Sequence, residues 1–188
     1  MSASQAHQPK ASPAALSHEP LDYAIATSSL GRVLVAWSAT GVVSILIDDE
    51  IDPLVEDLQH RFPNASVREA DYNCDVLLGK VLGHLEDSSN DLDVALDVRG
   101  TEFQRRVWST LQAIPAGKTS TYTDVAVTLG QPSAARAVAS ACAANPIAVA
   151  IPCHRVVRND GGLSGYRWGV QRKQALLARE TTPPALIA

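Results

Sequence analysis

The chain has 188 residues, 46% of them hydrophobic and 19% charged, with a net charge of −4, a composition that sustains one compact unit or two small ones packed together. No apolar run approaches the roughly 18 residues needed to cross a bilayer. Three scattered cysteines, Cys74, Cys142 and Cys153, form neither a disulfide framework nor a CxxC metal pair, which fits a reducing cytoplasm.

Residues 1–20 lack the apolar core of a signal peptide and read as a disordered leader. Three β-rich runs follow, Tyr23-Ala-Ile-Ala, Arg32-Val-Leu-Val-Ala-Trp37 and Val42-Val-Ser-Ile-Leu-Ile47, with turn signals at residues 28–31 and 40–41. They predict an antiparallel meander. Asp52-Pro53 opens an amphipathic helix through Leu54, Val55, Leu58 and Phe62, closed by Pro63. A second helix over 75–85 carries Val76, Leu77, Val81, Leu82 and Leu85 at helical spacing, and residues 92–98 read as a last strand. Residues 21–98 are therefore expected to form a small α/β domain with an antiparallel sheet and no evident chemistry.

Residues 99–182 differ in character. Residues 102–111 are helical, with Phe103, Val107 and Trp108 as the buried stripe, and Ile114-Pro-Ala-Gly117 is a turn. A short helix over 123–129 ends at Gly130, and Ser133 is placed to cap a second helix reaching about Ala144. Two short helices around a glycine-containing turn match a helix-turn-helix. The second of them has Arg136 as its only charge. Small side chains let a helix approach a narrow groove closely, and they equally suit a buried, alanine-packed helix with Arg136 reaching outward. Charge is divided along the chain: residues 1–98 carry 5 basic and 16 acidic side chains, net −11, and residues 99–188 carry 11 and 4, net +7. That asymmetry suits either a polyanionic partner for the second half or attraction between the halves.

The apolar run Ile147-Ala-Val-Ala-Ile151 leads into Pro152-Cys153-His154-Arg155. A thiol reacts as thiolate, favoured beside a base or cation, so His154 and Arg155 make Cys153 a candidate nucleophile, while a packed small hydrophobe is the plain alternative. Cys74 and Cys142 lack such neighbours.

Ile151-Pro-Cys-His-Arg-Val156 resembles the active-site signature of the O6-alkylguanine-DNA alkyltransferases, the methylated-DNA–protein-cysteine methyltransferases. The resemblance extends through Gly100-Thr-Glu-Phe-Gln104, Val107-Trp108, Ile114-Pro-Ala-Gly117, Tyr122, Arg136-Ala-Val138, Asn145-Pro146, Leu163-Ser-Gly165 and Leu176-Leu-Ala-Arg-Glu180. Residues 136–168 are especially similar to the C-terminal domain of the family's adaptive-response members. The resemblance implies a ribonuclease H-like N-terminal domain and a mainly α C-terminal domain with a helix-turn-helix. It implies double-stranded DNA bearing O6-alkylguanine as partner, with O4-alkylthymine as a second substrate, bound through the minor groove by a monomer.

The same resemblance implies the residue roles. Cys153 would accept the alkyl group once and irreversibly, His154 would remove its proton through a water, and Glu180 would orient the imidazole. Tyr122 would serve the guanine N3, and Asn145 would tie the recognition helix to the active-site loop. Arg136 would fill the stack when the base swings out, with Ala135, Ala137 and Ser140 beside it on the DNA. Pro152, Val156, Ser164 and Trp168 would line the base pocket. No cofactor is implied, and Cys74, His60 and His84 make no recognisable zinc set. Three rivals remain: a lesion-binding relative that lacks transfer, disfavoured by the presence of Cys153; a helix-turn-helix regulator; and a thiol hydrolase.

Overall fold

The computed structural model describes residues 19–88, 92–163 and 165–181. The expected leader over 1–20 falls almost wholly outside these, and Ser164 lies outside them too.

The meander forms as its alternation predicts. Strands β1 (Glu19–Ser28), β2 (Gly31–Trp37) and β3 (Val42–Asp48) pair antiparallel in sequence order. β3 is buried over all but its last residue, and Val43, Ile45 and Ile47 are at most 1% exposed. Helix α1 (Ile51–Arg61) buries Leu54 and Leu58. The sheet is mixed rather than antiparallel, because a fourth strand, β4 (Ala65–Glu69), returns after α1 to lie parallel to β1, giving the order β3-β2-β1-β4. A helix between two strands of one sheet allows the second to run parallel to the first.

Helix α2 (Asp75–Glu86) turns Val81 and Leu85 inward. Val76 is exposed, contrary to its expected place on the stripe; five residues before Val81, it sits about 140° round the helix. Residues 92–98 do not form a strand. Only Leu96 bridges to Val42, with Val42 N donating to Ala95 O and Asp97 N to Val42 O. The rest of the β3 edge is taken by a later segment: Ile45 N donates to Pro146 O, Ala148 N donates to Ile45 O, and the buried Ser44 Oγ donates to Pro146 O at 2.9 Å. One exposed edge is thus covered by two short stretches.

Helix α3 (Glu102–Gln112) starts from a reciprocal cap between Thr101 and Gln104 and buries Val107, Trp108 and Leu111. A Cβ at Gly100 would lie 2.7 Å from the Trp108 ring, so the close approach there requires glycine. Strand β5 (Ser120–Thr121) runs into α4 (Tyr122–Thr128), where Thr121 and Asp124 make a second reciprocal cap. Gly130, at φ +73°, ends the turn after α4. Ser133 is not a cap. Pro132 begins a 3₁₀ turn (Pro132–Ala134), as proline favours a first helical position, and Ser133 lies inside the turn that leads into α5 (Ala135–Ala143). The Trp108 indole donates to Ala141 O at 2.9 Å and fixes α5 on α3. A 3₁₀ turn (Cys153–Arg155) leads into β6 (Val156–Val157), parallel to β5, and α6 (Val170–Thr181) packs against that turn. Among the described residues no helix is long and apolar enough to cross a membrane.

Candidate active site

The site is a buried turn held from three sides. Cys153 opens the 3₁₀ turn and is 4% exposed; its amide donates to Ile151 O and its carbonyl accepts from Val156 N. Asn145, fully buried just beyond α5, is the clamp. Its Nδ2 donates to Ile151 O at 2.8 Å and to Cys153 Sγ at 3.2 Å, and its Oδ1 accepts from Ile147 N at 2.9 Å. Both ends of the amide are therefore spent on the loop that carries the thiol. That loop is strained at Val149, a β-branched residue held at φ +65°, a conformation costing on the order of 1–3 kcal/mol.

His154 is fully buried. Its Nε2 lies 2.8 Å from Glu180 Oε1. A carboxylate in that position accepts a hydrogen bond from Nε2–H, which fixes the tautomer and leaves Nδ1 as the basic nitrogen. Nδ1 is buried without a hydrogen-bond partner among the described residues. Burial keeps the imidazole below its ordinary value of 6.5 against the opposing pull of Glu180, so the ring is neutral at physiological pH. Glu180 also accepts from the Arg155 guanidinium at 2.8–3.1 Å, from Gly117 N at 3.1 Å and from Ser88 Oγ at 3.0 Å. Although burial opposes it, the hydrogen bonds from His154 and Arg155 hold its carboxyl well below the usual range. Gly117 approaches with φ +73°, and a Cβ there would lie 2.9 Å from the Glu180 carbonyl.

Arg155 does not act on the thiol as its adjacency suggests. Its guanidinium turns away to Glu180 and to Ile114 O. Burial pushes the Cys153 thiol up to about 11, with Asn145 and Lys173 pulling the other way. The resting sulfur is therefore a thiol, and its reactivity depends on a base that can take the proton.

Tyr122 at the start of α4 and Arg136 at the start of α5 line one groove of about 620 Å³, shared with Ala135 and Ala139 and with Arg158 and Asn159 of the loop after β6. Arg136, Ala137 and Ser140 are exposed on α5, and Ala135 is half-buried. The helix is thus neither wholly buried nor an ordinary charged surface: Val138, Ala141 and Cys142 face in, while a small-residue face with one arginine faces out. Val156 is buried, with its carbonyl engaged by Lys173 at 2.6 Å. Trp168, 5% exposed, meets Tyr166 edge-on at 5.1 Å. Pro152 lines a different cavity, of about 260 Å³, with Val149, Arg155 and Ser88.

Four contributors escaped the sequence reading. Ser88 and Gly117 reach Glu180 from distant segments, and nothing in their surroundings announces this. Tyr166 packs 6.5 Å from the His154 ring. Lys173 is 1% exposed, and a signal did exist for it: Lys173, Leu176 and Glu180 fall at i, i+3 and i+7, the inward stripe of α6.

Residues 102–182 match the family model described as "6-O-methylguanine DNA methyltransferase, DNA binding domain". The chain is 50% identical over 158 residues to the bifunctional transcriptional activator/DNA repair enzyme Ada of Escherichia coli (strain K12), a match covering 84% of this chain and 45% of that protein. It is 42% identical to a probable methylated-DNA–protein-cysteine methyltransferase of Acanthamoeba polyphaga mimivirus, covering 78% of this chain and 94% of that one. The crystal structure of Mycobacterium tuberculosis OGT in complex with DNA superposes with a TM-score of 0.71 at 32% identity, over 86% of this chain and 92% of that one. The chain belongs to the methylated-DNA–protein-cysteine methyltransferase family. It spans about half the length of the first curated relatives it matches.

Proposed function

We propose that the protein repairs alkylated DNA by direct reversal, moving the alkyl group from O6-alkylguanine, and from O4-alkylthymine, onto its own Cys153. The observation that carries this reading is the buried thiol clamped by Asn145 and followed by a neutral, carboxylate-oriented imidazole; a groove lined by Tyr122 and Arg136 adds to it. Nδ1 of His154 receives the Cys153 proton through a water. The sulfur attacks the alkyl carbon, the S–C bond forms as the C–O6 bond breaks, and the electron pair leaves on the base. Tyr122 assists by hydrogen bonding the ring N3, and the base ends with a proton in place of the alkyl group. The product is a thioether that thiol exchange cannot reverse, so each molecule acts once.

In this reading the chain divides into an α/β domain over 21–98 and a DNA-binding, alkyl-acceptor domain over 99–182. The sheet order β3-β2-β1-β4, with β4 parallel to β1, supports the ribonuclease H-like description of the first. α4 and α5 are the helix-turn-helix, and the small-residue outer face of α5 suits the minor groove of double-stranded DNA. Arg136 takes the place of the extruded base, Ala135, Ala137 and Ser140 flank it, and Val156 and Trp168 are assigned to the base pocket, whereas Pro152 opens on a separate cavity. The protein acts in the cytoplasm as a monomer without a cofactor.

The test is a duplex carrying radiolabelled O6-methylguanine. Label should pass to the protein with a one-to-one ceiling and be lost in Cys153→Ala. Binding without transfer, or continued release of product, would reject the reading.

A further inference from the structure

Lys173 is the one lysine among the largest fully buried side chains. Its ammonium donates to Val156 O at 2.6 Å, and among the described residues no carboxylate pairs with it. A buried charge is costly unless it is compensated, and one carbonyl leaves two of the three ammonium hydrogens to be accounted for. Burial pulls the ammonium below its ordinary value, opposed by two thiols, Cys153 on the 3₁₀ turn and Cys142 on α5. The hydrogen bond also reaches the acceptor by a short route, because the amide of the same Val156 donates to the Cys153 carbonyl.

We propose that Lys173 is a positioning residue for the acceptor: its buried ammonium, seated on the Val156 carbonyl, is the counter-charge that allows the Cys153 sulfur to ionise inside the protein. This rests on the reading of Cys153 as the acceptor. The other ionisable groups near the sulfur do not fill that role. Cys142 on α5 is held neutral by burial, its thiol pushed up to about 12. Tyr166, on the loop before α6, is likewise held neutral by burial. Arg155, on the turn itself, is committed to Glu180, and that carboxylate in turn orients His154. Lys173, on α6, is the cation that remains. Once His154 has taken the proton, sulfur and ammonium form a buried pair of opposite charge. The sulfur's reaction with the alkyl carbon then neutralises it. The arrangement explains why a lysine occupies the inward stripe of α6, seated on a carbonyl of the chain that leaves the Cys153 turn.

The test reads ionisation directly and needs no DNA. Wild type, Lys173→Met and Lys173→Arg are treated with iodoacetamide across neutral and alkaline pH, and modification of Cys153 is followed by mass spectrometry, which separates it from Cys74 and Cys142. The Lys173→Met profile should shift alkaline by about one unit, slowing modification at neutral pH by about tenfold, and Lys173→Arg should recover most of the loss. A Lys173→Met protein that unfolds at the wild-type midpoint and keeps the wild-type profile overturns the proposal. Should Lys173→Met not fold, the coupling is read from the other side, by following the Lys173 ammonium by NMR in wild type and in Cys153→Ala. Removing the sulfur should lower the lysine's titration midpoint, and an unchanged midpoint also overturns the proposal. Failure of label transfer from the duplex would instead reject the repair function and leave the ionisation result standing.

Discussion

Glu180 accepts hydrogen bonds from His154, Arg155, Gly117 and Ser88, so one carboxylate joins four separate stretches of chain. Glu180→Gln keeps the shape and removes the charge, leaving the buried Arg155 uncompensated. Breaking such a pair costs about 3–5 kcal/mol, and a denaturant titration showing less than about 1 kcal/mol would mean that the carboxylate does not brace the site. The pH dependence has a definite sign. Glu180 is held below its ordinary 4.5 and His154 below 6.5, so in both cases the unfolded chain binds the proton first as pH falls. Stability is complete above these values, begins to decline near 6.5 and declines more steeply below 4.5, as unfolding midpoints across pH would register; a gain in stability from neutral to mildly acidic pH would contradict it. Arg136 belongs to the same scale but to a different role. Exposed at the groove, its side chain makes no hydrogen bond or ion pair among the described residues, so Arg136→Ala should leave stability unchanged and slow repair of duplex DNA on the order of tenfold, while reaction with the free alkylated base stays largely intact. Equal loss on both substrates would remove its assigned role.

At the scale of elements, the cap of α4 links local structure to the site. Thr121 accepts from Asp124 N at 3.1 Å and donates its own amide to Asp124 Oδ2 at 3.0 Å, and the first helical residue after it is Tyr122. Thr121→Ala should cost about 1 kcal/mol and slow alkyl transfer by freeing Tyr122, whereas Thr121→Ser should do neither. Transfer at the wild-type rate in a destabilised Thr121→Ala would show that the cap does not position the tyrosine. The meander and the first three helices were legible because their alternation or 3.6-residue period is set by burial on one face. β4 was not, since Ala65-Ser-Val-Arg-Glu69 is short and carries two charges, which an edge strand tolerates and a propensity reading takes for a loop. Residues 92–98 were over-read for the opposite reason: Leu92, Val94, Leu96 and Val98 alternate as a strand should, but the edge they would join is already occupied at Ile45. In the site, Cys153 and His154 could be found from their own neighbourhood. Glu180 and Lys173 lie 20 or more positions away on α6; Glu180 was named only through the family resemblance, and Lys173 only shares its inward stripe. The inference from Arg155 failed because adjacency along a 3₁₀ turn does not fix where a long side chain points.

At the scale of the molecule, the loop that leads to Cys153 is an outlying member of the four-stranded sheet. Ile45 exchanges hydrogen bonds with Pro146 and Ala148, and Ser44 adds its hydroxyl. The charge asymmetry along the chain is partly used in the same union: Arg172 of α6 pairs with Asp49, Arg179 with Glu86, and Arg167 with Asp57. Both readings of that asymmetry can therefore hold together, with some basic residues facing the acidic half and Arg136 free of ion pairs among the described residues. Unfolding should consequently be one cooperative transition, coincident by circular dichroism and by loss of protection of the buried Cys142 from iodoacetamide. Ser44→Ala should lower the unfolding free energy of that transition by about 1 kcal/mol. Two separated transitions would mean that the halves are energetically independent.

The pairing of β3 with residues 146–148 has a consequence for solubility. Val42-Val-Ser-Ile-Leu-Ile47 is apolar, uncharged and free of proline, the composition of a segment that stacks with copies of itself once its backbone is bare. The opposite border of the sheet is guarded by Arg68 and Glu69; this one has no guard except the chain lying across it. Anything that dislodges the loop below Asn145, whether a mutation or a group on the sulfur too large for its surroundings, would uncover a sticky ribbon, and molecules damaged in this way should clump rather than merely lose activity.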